Sequence, residues 1–175
     1  METVLILDFG AQYSQLIARR VREQNVYCEV KPCSISPAEI EKIAPIGIIL
    51  SGGPQSVYES VSPHVDPALF ALGIPVLGIC YGCQLMAYSL GGTVAAATEA
   101  TAREYGKTLT EFDTESAIFH GLPASSVTWM SHGDYISQVP DGFTVTAKTA
   151  VCPTAAMACP EKKLYGVQFH PEVQH

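Results

Sequence analysis

Apolar residues occur in short runs that alternate with segments of helical periodicity. The runs at residues 3–7, 46–50 and 75–79 are almost entirely apolar, which is typical of strands buried on both faces of a sheet. Apolar positions recur at helical spacing in residues 12–24, and residues 82–90 form a helical segment that stops at two glycines. The pattern predicts strands and helices in alternation.

The remaining segments extend this alternation. Residues 37–43 are predicted as a helix with Ser36 as its N-cap. A further helix is predicted near 67–72, and shorter strands at 26–30, near 94, and at 106–111, 127–130, 143–148, 155–158 and 164–169. Parallel strands need crossover connections such as these helices. We therefore expect one α/β domain over residues 1–175, with a mainly parallel central sheet and helices on both faces.

Composition limits the partners. The formal net charge is −7 and Lys and Arg form no basic run, which argues against nucleic acid. No apolar stretch approaches membrane-spanning length, and no export signal follows Met1. We expect a cytoplasmic protein without nucleic-acid or membrane partners, in which the six cysteines are reduced.

Two cysteines lie in the segment GICYGCQ, residues 78–84. Gly78 and Gly82 flank Cys80 between a predicted strand and a predicted helix, the pattern of a nucleophile elbow, where side chains at the flanking positions would clash. The helix N-terminus favours the thiolate form of Cys80. A redox pair with Cys83 is the alternative. A zinc site would need two more ligands, and no second motif supplies them, so we expect no metal.

A base for this cysteine is predicted near the end of the chain. His170 and Glu172 lie two residues apart at the expected end of a strand, where they can share a side, so Glu172 can orient His170. The backbone N–H of Tyr81 and the turn at residues 51–54 are candidate donors to an oxyanion. These residues predict acyl chemistry.

The motifs GICYGCQ, YGVQFHPEV, SGGPQSVYE and MSHGD resemble those of class I glutamine amidotransferases. The opening LDFGAQYSQLIARRVRE, with SGGPQSVYE and WMSHGDYI, is similar to those members that provide ammonia for the amination of xanthosine monophosphate. The resemblance extends over essentially the whole chain and implies a flavodoxin-like α/β fold.

The resemblance also implies residue roles. Cys80 would attack the side-chain amide of L-glutamine, giving a γ-glutamyl thioester and ammonia, with His170 moving protons and Glu172 holding His170. The amides of Gly53 and Tyr81 would form the oxyanion hole.

Four further residues would bind the α-amino and α-carboxylate groups of glutamine in the resembling family. They are Gln84, Ser131, Gly133 and Asp134. An ordinary polar turn after a strand would also explain residues 131–134.

The resemblance implies a partner as well. Ammonia would pass to a synthetase (ATP-pyrophosphatase) domain or subunit that uses ATP and Mg²⁺, and no glycine-rich ATP loop occurs in these 175 residues. We expect no cofactor in this domain. Two alternatives stay open, a docking module with a vestigial triad and a thiol-disulfide protein that uses Cys80 and Cys83.

Overall fold

The computed structural model describes residues 1–10, 13–53, 56–59, 62–97 and 104–173. Its α-helices are α1 (Ser14–Glu23), α2 (Pro37–Ile43) and α3 (Tyr81–Ser89). Its strands are β1 (Thr3–Asp8), β2 (Tyr27–Pro32), β3 (Gly47–Leu50), β4 (Val76–Ile79), β5 (Thr93–Ala96), β6 (Glu104–Phe112), β7 (Ser125–His132), β8 (Asp134–Gln138), β9 (Thr144–Lys148), β10 (Ala156–Cys159) and β11 (Leu164–Val167). In the described ranges, no helix is long and apolar enough to span a membrane.

Nine strands form one sheet in the order β2-β1-β3-β4-β11-β10-β9-β6-β7. The first five are parallel to one another, whereas β10, β9, β6 and β7 pair antiparallel. Antiparallel neighbours can be joined by short turns, as β10 and β11 are, so this half needs no crossover helices. The α/β class with a parallel centre is confirmed, and β5 pairs with β8 in a separate ribbon.

Helices cover both faces of the parallel strands. On one face Ile17 of α1 packs in the same apolar cluster as Ile6 of β1. On the other face Ile40 of α2 and Leu85 of α3 pack with Leu7. Since successive side chains of a strand point to opposite faces, β1 contributes to both clusters. The two-faced arrangement predicted from the apolar runs is confirmed.

Helix α2 begins as its sequence predicts. Ser36 has extended backbone angles and its hydroxyl accepts a hydrogen bond from the Glu39 amide at 3.2 Å. The hydroxyl in turn donates to the Glu39 carboxylate at 3.1 Å, so Ser36 caps the helix and also holds the side chain of the residue three positions on.

Three boundaries differ from prediction in ways that matter for the site. The helix expected near 67–72 is a short 3₁₀ turn, Pro67–Ala71. Strand β7 continues to His132, because pairing with β6 extends to the Glu104–His132 register, and β8 begins at Asp134. Strand β11 ends at Val167 rather than 169. Residue 12 of the first predicted helix lies outside the described residues.

Candidate functional site

Cys80 occupies a sharp turn between β4 and α3. Its backbone angles are φ 53° and ψ −106°, a positive φ that non-glycine residues seldom adopt. Its amide donates to the Val167 carbonyl at 2.8 Å, so the turn is tied to the end of β11. Strained backbone of this kind is characteristic of a nucleophile elbow.

The glycines on either side of Cys80 are required by close backbone approach. A Cβ atom at Gly78 would lie 2.6 Å from the carbonyl oxygen of Gly82, and one at Gly82 would overlap the carbonyl oxygen of Leu50. Neither contact involves a side chain that could move aside at little cost. The steric argument made from the sequence is confirmed.

His170 and Glu172 form a buried pair in the turn that follows β11. His170 Nδ1 and Glu172 Oε1 are 2.6 Å apart, and the two residues are 6 % and 3 % exposed. The expectation that they lie at the end of a strand is wrong, because β11 has ended three residues earlier and a turn brings them together. Arg20 of α1 donates to the Glu172 carbonyl at 3.0 Å, and the Tyr13 ring contacts His170 edge-on.

The environment of His170 changes its protonation. Burial on its own would lower the pKa of His170, but hydrogen bonds and charge interactions with Cys80 and Glu172 outweigh burial and raise the pKa to about 10. The raised pKa favours the imidazolium form of His170 at neutral pH, and the Cys80 side chain is one of the two groups responsible. This arrangement suits a group that must deliver a proton beside a nucleophilic sulfur.

A cleft of about 360 Å³ opens over Cys80. All the residues predicted for the oxyanion hole and for glutamine binding line it. The lining residues are Gly53, Ser56, Cys80, Tyr81, Gln84, Tyr105, Ser131, His132, Gly133 and Asp134. The sequence did not predict Ser56 or Tyr105, since nothing local distinguishes them from surface residues, and it left His132 open as a substrate-site, interface or packing residue.

The two predicted oxyanion donors lie beside each other. A Cβ at Gly53 would lie 3.0 Å from Cγ of Tyr81, so the loop that follows β3 contacts the start of α3. Tyr81 is the first residue of α3, and the amides of a first helical turn have no partner within the helix. Both backbone segments border the cleft next to Cys80.

A buried amide network that sequence analysis missed supports the cysteine. Gln168 is fully buried, and its Nε2 lies 3.5 Å from Cys80 Sγ. Its Oε1 accepts from Gln84 Nε2 at 2.9 Å, and the same nitrogen of Gln84 donates to the Asp134 carbonyl at 3.1 Å. The side-chain amide of Gln84 thus braces the cleft wall. Only the position of Gln168 two residues before His170 could have drawn attention to it.

Cys83 differs from Cys80 in its surroundings. Cys83 is 1 % exposed and belongs to the apolar cluster on the α3 face, whereas Cys80 belongs to the cluster on the other face. Its sulfur packs where a Cβ at Gly166 would otherwise lie. Burial raises the pKa of the Cys83 thiol far above its ordinary value, so Cys83 has the environment of a packing residue rather than of a redox partner.

Comparison with known proteins gives a consistent picture. The family model for glutamine amidotransferase class-I matches residues 5–175. A GMP synthase [glutamine-hydrolyzing] of Clostridium botulinum (strain Alaska E43 / Type E3) is 57% identical over 174 residues, covering 99% of this chain and 33% of the relative. The enzyme of the same name from Caldanaerobacter subterraneus subsp. tengcongensis is 59% identical, with the same coverage.

Solved structures agree in fold. A Thermoplasma acidophilum protein assigned provisionally as a GMP synthase subunit superposes with a TM-score of 0.85 at 31% identity, covering 100% of this chain and 86% of that chain. A Thermotoga maritima glutamine amidotransferase gives 0.79 at 24% identity, with coverage of 98% and 76%, and shows the fold alone. The chain spans about a third of the length of the curated relatives. It belongs to the class-I glutamine amidotransferase family.

Proposed function

We propose that this chain hydrolyses L-glutamine to glutamate and ammonia through a thioester on Cys80. The ammonia serves the amination of xanthosine monophosphate to GMP. The observation that carries the proposal is the strained Cys80 elbow at the wall of a small cleft, together with the buried His170–Glu172 pair, whose imidazole interacts with Cys80. Family membership and the names of the relatives support the same chemistry.

The first half of the reaction breaks the amide bond. The Cys80 thiolate attacks the side-chain carbonyl carbon of glutamine, and the amides of Gly53 and Tyr81 donate to the oxyanion that forms. His170 gives its Nε2 proton to the nitrogen, ammonia leaves, and a γ-glutamyl thioester remains. Glu172 accepts from Nδ1 throughout, which keeps Nε2 directed at the reacting atoms.

The second half restores the enzyme. His170, now neutral, takes a proton from water as the water oxygen attacks the thioester carbon. The tetrahedral intermediate expels the Cys80 thiolate, glutamate is released, and the imidazolium is regenerated. Hydrogen-bond donation from Gln168 to Cys80 Sγ, 3.5 Å away, supports the thiolate as leaving group and as nucleophile.

The α-amino and α-carboxylate groups of glutamine bind to residues of the cleft other than the catalytic ones. Ser131, Gly133 and Asp134 come from the end of β7 and the start of β8, and Gln84 comes from α3. Asp134 carries the negative charge suited to the α-amino group, and the amides around Gly133 suit the α-carboxylate. Gln84 Nε2 also holds the Asp134 carbonyl, so it fixes the wall that meets the substrate.

Residues 1–175 act, in this proposal, as a glutaminase domain without a cofactor of its own, in the cytoplasm. Its partner is a synthetase unit, joined as a domain or bound as a separate chain, that uses ATP and Mg²⁺. Support comes from the relatives, in which this region is 33% of a protein named GMP synthase.

The test is glutamate release from glutamine, measured with and without a synthetase unit supplied with xanthosine monophosphate and Mg-ATP. We expect turnover that is lost in Cys80→Ala and kept in Cys33→Ser, which alters a half-buried thiol elsewhere. Turnover by Cys80→Ala would sink the mechanism. A folded wild-type chain that binds the synthetase unit yet releases no glutamate would favour the docking module with a vestigial triad.

A further inference from the structure

Three metal-ligand side chains converge beside the cleft without a role in the proposed reaction. Glu104 begins β6, His132 ends β7, and Cys152 lies in the segment between β9 and β10. Their ligand atoms all lie within 4.8 Å of one another. The side chains of His132 and Glu104 are 1 % and 7 % exposed, and Cys152 is fully buried. Buried groups of this kind need compensation for lost solvation.

The orientation of His132 presents one ring nitrogen to the other two groups. Nδ1 lies 2.7 Å from the Asp134 carbonyl, which can only accept, so Nδ1 carries a proton. In the neutral ring the lone pair is then on Nε2, which faces Glu104 Oε1 at 3.1 Å. A metal-binding histidine is usually held through one nitrogen by a carbonyl or carboxylate, and here the second nitrogen faces a carboxylate oxygen, so a cation between them would take the lone pairs of both.

Glu104 is held in the same manner. Its Oε2 accepts from the Thr149 hydroxyl at 2.7 Å, so Oε1 is directed at His132. The Thr149 hydroxyl in turn accepts from the Cys152 amide at 2.8 Å, which places the Cys152 side chain next to the carboxylate. Both outer contacts orient ligand atoms without occupying them.

The spacing of the His132 and Glu104 ligand atoms matches a tetrahedral zinc ion. Zinc at about 2.0–2.1 Å from nitrogen and oxygen separates these ligands by about 3.3 Å in tetrahedral geometry, close to the observed 3.1 Å. A thiolate at about 2.3 Å from zinc would lie about 3.6 Å from each of the other two ligands. The Cys152 sulfur lies within 4.8 Å of both other ligand atoms, so it would have to approach each of them by no more than about 1.2 Å to reach the distance that zinc requires.

We propose that Glu104, His132 and Cys152 bind Zn²⁺. A thiolate and an imidazole select zinc over the hard cations Mg²⁺ and Ca²⁺, which prefer oxygen ligands. The three residues are far apart in sequence and form no spacing motif, and the site does not use the Cys80–Cys83 pair. Because the Asp134 carbonyl receives hydrogen bonds from both His132 and Gln84, the ion braces the wall of the cleft.

The experiment is done on Cys80→Ala, which removes the other thiol near the cleft. Metal-stripped protein is titrated with Co²⁺, whose absorption reports thiolate ligation and tetrahedral geometry, and Zn²⁺ is then added to displace it. We expect one equivalent of Co²⁺ with a thiolate-to-metal band. Adding Cys152→Ser should remove the band and weaken Zn²⁺ binding more than about 10-fold, because loss of a residue that only orients a metal ligand already lowers metal affinity by about that factor. Adding Cys33→Ser should change neither.

Several outcomes would overturn the proposal. The first is a folded Cys80→Ala protein that binds no Co²⁺ or Zn²⁺ at micromolar metal. The second is a thiolate-to-metal band that persists after Cys152→Ser is added, provided that circular dichroism shows this variant to be folded. If that variant does not fold, the zinc ligands are identified by X-ray absorption of zinc-loaded Cys80→Ala. One sulfur neighbour at about 2.3 Å from zinc is expected, and a shell of only nitrogen and oxygen would refute the site.

Discussion

Gly78→Ala tests the steric basis of the Cys80 elbow. The new Cβ would lie 2.6 Å from the Gly82 carbonyl oxygen and 2.7 Å from the Cys83 amide nitrogen. Ordinary van der Waals contacts begin near 3.4 Å, so the new Cβ would be about 0.8 Å too close to that oxygen. Every close atom belongs to the backbone, so no rotamer change relieves the overlap. The first turn of α3 has to move away from β4.

The loss of stability follows from the inability of these backbone atoms to move aside. Overpacking costs about 1–3 kcal/mol, and backbone overlap puts this variant near the upper end. For a chain of this size each kcal/mol lowers Tm by about 2–4 °C, so we expect Tm to fall by about 6–12 °C. The shift also carries Cys80 away from His170, and a displacement of about 1 Å costs on the order of 100-fold in rate.

Thermal unfolding and kcat/KM for glutamine hydrolysis measure both effects. The matched control is Gly47→Ala in β3, where the new Cβ would meet nothing closer than the Pro75 carbonyl oxygen at 3.8 Å. Gly47→Ala should remain close to wild type in both measurements. If Gly78→Ala were as stable and as active as Gly47→Ala, close backbone packing would not be what forms the elbow.

Three further substitutions separate chemistry from packing. Glu172→Gln removes a charge that raises the pKa of His170, so the alkaline limb of the kcat/KM profile should move to lower pH. The value of kcat/KM should fall about 10- to 100-fold, which corresponds to the loss of a hydrogen bond to a charged group. An unchanged pH profile would contradict the triad. Gln168→Leu removes the donor to Cys80 Sγ and should slow alkylation of Cys80 at neutral pH, whereas an unaltered rate would assign Gln168 to packing. Ser36→Ala removes the cap of α2 and should cost about 1 kcal/mol in urea unfolding while leaving kcat/KM unchanged; a lost activity would be unexpected.

Local sterics explain why the elbow could be predicted. Gly78, Cys80 and Gly82 are close in sequence, and the requirement for a sharp turn acts on those residues directly. His170 and Glu172 are also sequence neighbours, so their pairing survives an error in where β11 ends. The buried runs predicted β1, β3 and β4 because strands covered on both faces have a strong apolar signal.

Long-range register explains what could not be predicted. Contact between Glu104 and His132 depends on the pairing of β6 with β7, and contact between Gln84 and Gln168 depends on α3 lying next to the residue that follows β11. Local composition encodes neither. Strand β8 was missed because Gly133 and Asp134 have the composition of a turn, although Asp134 pairs with β5.

The central claim is that Cys80 is the nucleophile towards glutamine. The direct measurement is mass spectrometry of the chain after exposure to a glutamine analogue with an electrophilic carbon in place of the side-chain amide. We predict one label per chain, on the peptide that contains Cys80, protected by excess glutamine and absent from Cys80→Ala. A label on Cys83 or on any other cysteine, or labelling that glutamine does not suppress, would contradict the account.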